Sequence, residues 1–425
     1  MAINKIFIEN FKSFNTLDVM LSNFNVLIGP NASGKSNFIS IFKFLRDLVN
    51  YGLCDAMARQ GDIEYFRNVN LGSTKNFILE ITADNKIKYG FSRGSRGKYY
   101  GLKTNYIKYK IELEFYKRKS DFIIRKDILD VKCMFVNLVM NKRKLQEGDP
   151  IGDCEYSIVK ENKRIKYNFI KWPETLKIKK EDVFPMAISK MRLENDKEIL
   201  IQTPAFIIPL GINRMFDDIT IYYIDPRLSK ETTPISGKCE LEEDGRNLAF
   251  VLKNILNDKE KKRKFYNLLH DILPFVEDVD FEKMLNKTLL FKLKEKYFNT
   301  KYLPSFLISD GTINIIALLV ALYFENKGSV SLFEEPERNM HPYLVSRILD
   351  MMKEVSLKKQ IIITTHNTEI VKHVDVNDIL LIKRAADGFS NITKAIENKY
   401  VQKFITTEME SSISLEDLFI ENKFD

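Results

Sequence analysis

Eight residues near the start of the chain, Gly29-Pro30-Asn31-Ala32-Ser33-Gly34-Lys35-Ser36, constrain its fold more than any other feature. They fill every fixed position of the phosphate-binding loop pattern G-x-x-x-x-G-K-[ST]. Their surroundings fit as well. Phe24, Val26, Leu27 and Ile28 form an apolar run before the loop, as a buried strand does. After it, Phe38, Ile41, Phe42, Leu45, Leu48 and Val49 recur at helical spacing, so residues 35–50 are expected to be a helix with one buried face. Glycines let backbone N–H groups curl around phosphate oxygens. The helix start adds unpaired donors and a positive dipole end. Lys35 is expected to reach the β- and γ-phosphates, and the Ser36 hydroxyl to ligate Mg2+. The candidate nucleotide-binding residues are Gly29, Asn31, Ala32, Ser33, Gly34, Lys35, Ser36 and Asn37, with ATP and Mg2+ as the ligands.

Three further signals lie in the last part of the chain. The pattern there predicts helix 312–325, strand 330–333, helix 342–355, strand 360–364 and strand 378–383, an alternation that implies a parallel α/β sheet. The stretch Val330-Ser331-Leu332-Phe333-Glu334-Glu335-Pro336-Glu337 ends a buried strand in acids. Parallel strands present their C-terminal ends to a ligand. Glu334 is therefore assigned to the metal and Glu335 to the attacking water, as the base. Read alone, such a pair is as often a solvated acidic turn; beside a phosphate loop it is a site. Ser309-Asp310-Gly311-Thr312 precedes an apolar helix, where Ser309 or Asp310 can cap it or the turn can bind an anion. Ile361-Ile362-Ile363-Thr364-Thr365-His366 delivers a histidine to the same sheet edge, where it can reach a phosphate or the water. His270 and His373 read as structural.

Between these regions the pattern changes. Phe77–Ile81, Tyr106–Phe115 and Phe122–Val131 are separated by polar turns and read as antiparallel hairpins. Residues 175–300 are charge-rich and read as mainly helical. The expected organisation is an ATPase core of 1–75 and 300–425, an antiparallel β lobe of 76–175 and a mainly helical insert of 176–299. The four cysteines (Cys54, Cys133, Cys154, Cys239) are scattered, which excludes a disulfide framework or a zinc site of CxxC type and fits a reducing cytoplasm. No apolar run reaches the ~18 residues a membrane span needs, and the N-terminus lacks signal-peptide character, so no membrane association is expected. A net charge of +8 permits a polyanionic partner without demanding one.

The order of these motifs, with Asn339-Met340-His341-Pro342 between the acids and His366, resembles the ABC-type ATPase heads of the SMC, RecF and OLD group. The opening Ile8-Glu9-Asn10-Phe11-Lys12-Ser13-Phe14, the stretch Leu241-Glu242-Glu243-Asp244-Gly245-Arg246-Asn247-Leu248-Ala249 and the closing Leu415-Glu416-Asp417-Leu418 extend the similarity over nearly the whole chain. It is most similar to the stand-alone AAA family ATPases of prokaryotic defence modules of the Septu, PARIS and retron type. The resemblance implies a P-loop NTPase of α/β class, an ABC-ATPase-like head with an antiparallel β lobe and a helical insert. It implies a homodimer, or a higher assembly of dimers, closed around ATP. Ser309, Asp310, Gly311 and Thr312 would act in trans on the partner's nucleotide, Arg338–Pro342 would be the D-loop and His366 the switch histidine. Gln60 is the candidate Q-loop glutamine at the metal. Glu334 stands where ABC proteins mostly carry Asp.

The chain lacks an SMC rod, a TOPRIM region and an HNH signature, so nuclease or toxin activity is expected from a separate effector chain. Lys88, Tyr89, Arg93, Arg96, Lys98, Tyr99, Tyr100 and Lys103 interleave charge and aromatic character among Gly90, Gly94, Gly97 and Gly101. Such a hairpin tip can contact nucleic acid, although a solvated turn is the commoner meaning. The Lys259–Lys264 run reads as a solvated helix face. The leading expectation is an ATP-hydrolysing controller of an effector in phage defence. The alternatives are a RecF- or SMC-like DNA-maintenance ATPase and a nucleotide-gated scaffold with little hydrolysis.

Overall fold

A computed structural model describes residues 2–84, 88–93, 99–141, 144–161, 163–174, 180, 192–193, 195–203, 216–284, 287–298, 300–325 and 328–398. In chain order the strands are β1 (Ala2–Phe11), β2 (Phe14–Met20), β3 (Phe24–Ile28), β4 (Phe77–Asp84), β5 (Lys88–Arg93), β6 (Tyr99–Phe115), β7 (Phe122–Asn141), β8 (Lys144–Glu161) and β9 (Arg164–Lys171). They continue as β10 (Ile219–Tyr222), β11 (Thr233–Pro234), β12 (Val276–Lys283), β13 (Thr288–Glu295), β14 (Leu303–Pro304), β15 (Val330–Glu334), β16 (Gln360–Thr365), β17 (Ile379–Arg384) and β18 (Ser390–Lys394). The helices used below are α1 (Lys35–Asn50), α2 (Leu53–Arg59), α3 (Asp62–Phe66), α4 (Leu248–Asn257), α5 (Lys259–Ile272), α6 (Asp310–Tyr323) and α7 (Pro342–Ser356). The described residues divide between two compact units, one within Met1–Ser22, Ala32–Ile219 and Lys383–Ile392, the other within Asn23–Asn31, Thr220–Ile382 and Thr393–Asp425.

The first unit is built on an eight-stranded sheet of order β2-β1-β4-β6-β7-β8-β9, with β5 on β6. Its strands pair antiparallel, and β4 shows the period of two: Phe77, Leu79, Ile81 and Ala83 are buried. Beneath that face α1 buries Phe38, Ile41, Phe42, Phe44, Leu45 and Leu48. Phe11, Phe44, Phe66 and Phe77 pack ring to ring, with Phe66 and Phe77 centroids 4.7 Å apart. The opposite face is charged and internally paired. Glu80 holds Lys108 at 2.8 Å and Lys110 at 3.5 Å, Glu112 holds Lys126 at 3.0 Å, and Glu155 holds Lys132 at 3.5 Å. The lobe's strands are longer than the sequence pattern suggested. They also take in β1 and β2, which had been grouped with the ATPase core.

The second unit carries a six-stranded sheet of order β10-β15-β16-β3-β17-β18. β15, β16, β3 and β17 are parallel neighbours, as the alternation of helix and strand implied. These strands are buried on both faces, so they read as continuous apolar runs. α6 is buried almost all round, while α7 buries one face, with Val345, Ile348, Leu349, Met352, Val355 and Ser356. One expectation is corrected here. Residues 176–299, of which 176–179, 181–191, 194, 204–215, 285–286 and 299 lie outside the described residues, are expected from the sequence to be mainly helical. They do include α4 and α5, but Val276–Lys283 and Thr288–Glu295 form an antiparallel hairpin flanked by β11 and β14. Glu277, Asp280, Glu282 and Lys294 alternate with Val276, Val279, Phe281 and Leu293, and a strand with one solvated face carries as much charge as a helix. No helix among the described residues is long and apolar enough to cross a membrane. The closing Leu415–Leu418 motif lies outside the described residues.

Candidate functional site

The parallel sheet brings three sequence motifs to one edge. Ile28, the last residue of β3, lies opposite Thr365 in β16, and Glu334, the last of β15, lies opposite Thr364. The Gly29 N–H donates to the Thr365 carbonyl at 3.3 Å. The phosphate loop, the acids and the histidine therefore leave adjacent strands at their C-terminal ends, where adjacent strands are only about 5 Å apart.

The loop itself needs left-handed backbone. Ala32 has φ +61° and Gly34 φ +111°, a sequence of turns that aims N–H groups inward. Gly34 is also required by space, since a Cβ there would stand 2.4 Å from the Ser390 hydroxyl. That hydroxyl donates to the Ser33 carbonyl at 2.7 Å and shares a hydrogen bond with Ser13 at 2.8 Å. Asn37 Nδ2 donates to the same Ser13 oxygen at 2.8 Å. Ser13 and Ser390 thus brace the loop from behind. The opening motif contained Ser13; nothing in the sequence singled out Ser390. Lys35 and Ser36 open α1, Lys35 is buried, and the first turn of the helix carries no acid. Among the described residues the buried Ser33 hydroxyl has no hydrogen-bond partner, an orphaned polar atom in a loop whose donors suit an anion. These residues fit a bound nucleotide phosphate.

After β15 the chain turns sharply. Glu335 adopts φ +47°, and its N–H donates to the Thr364 carbonyl at 2.8 Å. Its Oε1 lies 2.5 Å from His366 Nδ1. Glu335, Glu337, Arg338, Asn339, Met340, His366, Asn367 and Thr368 line a cleft of about 460 Å³. Glu334 remains on the strand, partly exposed. Glu337, by contrast, is buried and accepts a short hydrogen bond from the Thr365 hydroxyl. Burial raises its carboxyl above the ordinary range, with the Thr365 bond pulling the other way. In the sequence Glu337 is one more acid after the strand, with no spacing that marks a role for it.

The Ser-Asp-Gly-Thr turn starts α6. Ser309 is the N-cap, accepting from the Thr312 N–H at 3.1 Å, and Asp310 pairs with Lys230 at 2.5 Å. Gly311 lies so close to the acidic loop that a Cβ would stand 2.6 Å from the Asn339 carbonyl oxygen. Asn314, one turn on, donates to the Pro336 and Arg338 carbonyls at 3.1 and 2.9 Å. His341 caps α7 by accepting from the Tyr343 N–H, with Pro342 at the first helical position. Gln60 lies in the first unit at the end of α2, and its backbone carbonyl accepts from Lys12 Nζ at 3.1 Å. Burial lowers that lysine's proton affinity, and nearby Lys43 adds to the effect. Among the described residues no cluster of three or more His, Cys, Asp or Glu forms a ready metal site. In the candidate nucleic-acid hairpin Lys103 pairs with Glu147, while Gly94, Arg96, Gly97 and Lys98 lie outside the described residues.

Residues 24–135 and 211–372, well over half of the chain, match the family described as "AAA domain, putative AbiEii toxin, Type IV TA system". No curated protein matches the chain. Among solved structures it is similar to an SmcHead bound to the C-winged helix domain of ScpA, at 14% identity and TM-score 0.48, covering 92% of this chain and 98% of that one. It is similar too to the SMC head domain from Thermotoga maritima, at 15% identity and TM-score 0.42 over 93% and 99% of the two chains. A third is the Smc head domain with an extended coiled coil, bound to the C-terminal domain of ScpA, from Pyrococcus furiosus. It matches at 14% identity and TM-score 0.43, over 96% and 99%.

Proposed function

The chain belongs to this AAA-domain family, and from that membership we propose that it is an ABC-type head that binds and hydrolyses ATP, dimerises around it and controls a separate effector, in antiviral defence. The observation that supports the reading is the register of β3, β15 and β16, parallel neighbours after which the phosphate-loop motif begins at Gly29, the acids Glu334 and Glu335 follow, and His366 follows. The loop N–H groups and Lys35 bind the phosphates. Ser36 and Glu334 would hold Mg2+, which would offset the phosphate charge. Glu335 takes a proton from water at Oε1 or Oε2, and His366 orients that carboxylate through Nδ1. Ser309 and Gly311 complete the partner's site across a two-fold axis. The family's description names a toxin of a toxin–antitoxin system, which supports a place in a defence module.

The test is steady-state ATP turnover with and without duplex DNA, using Glu335→Gln as the blank. Turnover above the blank, indifferent to DNA, supports a protein trigger and an effector to be co-purified. Strong stimulation by DNA replaces effector control with a DNA-maintenance role. Turnover no higher than the blank leaves a nucleotide-gated scaffold.

A further inference from the structure

The two residues flanking His366 are tied to one buried carboxyl. Thr365 donates its hydroxyl proton to Glu337 Oε1, and the Asn367 N–H donates to the Thr365 oxygen at 2.9 Å. Thr365 is wholly buried and Glu337 is 8% exposed. Glu337 is itself held. The Met340 N–H donates to its carbonyl at 3.1 Å, and Asn314 grips the carbonyls on either side, those of Pro336 and Arg338. His366 is by contrast half exposed, and among the described residues its side chain makes its polar contact with Glu335. An exposed imidazole on a turn has many rotamers and little to choose among them, so its position has to be set by the backbone beneath it.

Keeping a carboxyl in that place is costly. Among the described residues its buried Oε2 has no hydrogen-bond partner, and an unsatisfied polar atom away from water is penalised. A fold selected for stability alone would place an apolar side chain here. The bonds run from Asn367 through Thr365 to Glu337, and so lead to the two neighbours of His366 rather than to the packing core.

We propose that Glu337 is the positioning residue of the site: through Thr365 it clamps the turn that carries His366 and so keeps the imidazole on Glu335. This rests on the hydrolysis reading above for its consequence, though not for its geometry. Glu337 touches neither nucleotide nor water in this role. It fixes where the Glu335 carboxylate points.

The test uses the full chain with Glu337→Met, Thr365→Val, the double variant and Glu337→Gln. Removing either partner of the clamp should lower kcat about 10- to 100-fold, as expected for a displacement of about 1 Å at a reacting group, with KM within about twofold. Because both changes break one link, the double variant should be no worse than either single one. Glu337→Gln keeps an acceptor for Thr365 and should recover most of the turnover. A second readout is independent of turnover. The chain has only four histidines, so the His366 imidazole resonances can be assigned by NMR and should shift in Glu337→Met and Thr365→Val but not in Glu337→Gln. Unmoved His366 resonances, or multiplicative losses in the double variant that follow thermal stability, overturn the clamp. If Glu335→Gln itself turns over like wild type, the hydrolysis reading fails instead, and the resonances still decide the clamp.

Discussion

Glu335 holds a left-handed backbone that costs a non-glycine residue on the order of 1 kcal/mol or more, and the hydrogen bonds at Thr364 and Arg338 keep it there. The strain turns its carboxylate off the strand and toward His366. Glu335→Gln is isosteric and should leave nucleotide affinity intact. As a lost general base it should slow turnover about 100-fold or more, checked by phosphate release under saturating ATP. Lys35→Ala should abolish nucleotide binding, read by fluorescent-nucleotide titration; wild-type affinity would remove the phosphate-loop assignment. At this scale the loop and the acids were legible because each position admits few residue types. Ser390 and the role of Glu337 were not. A serine 377 residues from Ser13 meets it only through the fold, and no spacing rule encodes that.

Most elements were legible from period alone: α1 and α7 from their single apolar face, β3 and β16 from unbroken apolar runs. The β12–β13 hairpin was missed because its charged outward face is what a solvated helix also shows. One element contact makes a pH prediction. Asp127, on β7, is wholly buried and accepts from the Leu200 N–H at 2.6 Å, pinning the 199–203 segment to the sheet. Burial raises its carboxyl from an ordinary 3.8 to about 7, against the Leu200 bond, which lowers it. The folded state then prefers the protonated acid, so this contribution is fully present below about pH 4 and is lost as pH rises toward 7. Asp127→Asn keeps an acceptor for Leu200 and has no proton to lose. Its stability relative to wild type should grow by about 2 kcal/mol between pH 5 and pH 8, measured by urea unfolding at each pH. Ser309→Ala should cost about 1 kcal/mol through the lost cap of α6, seen in the same assay.

At the scale of the whole molecule, Lys108, Lys110, Lys126 and Lys132 on the charged face of the large sheet pair with glutamates of the same face. Exposed pairs of this kind contribute ~0–1 kcal/mol each, and raising the salt should change stability little. Assembly is the larger question. With ATP, Glu335→Gln should sediment as a dimer while the nucleotide-free chain sediments as a monomer; an unchanged profile would remove the trans role of Ser309 and Gly311. The close fit of Gly311 against Asn339 bears on something else, the chain's tolerance to change. Randomised codons at 311, under selection for function, should return glycine alone, since even a methyl group meets a carbonyl oxygen. Gly237, where a Cβ would meet no atom of the described residues within 4 Å, should return almost anything. A deep mutational map would show the two glycines as opposites, one invariant and one silent.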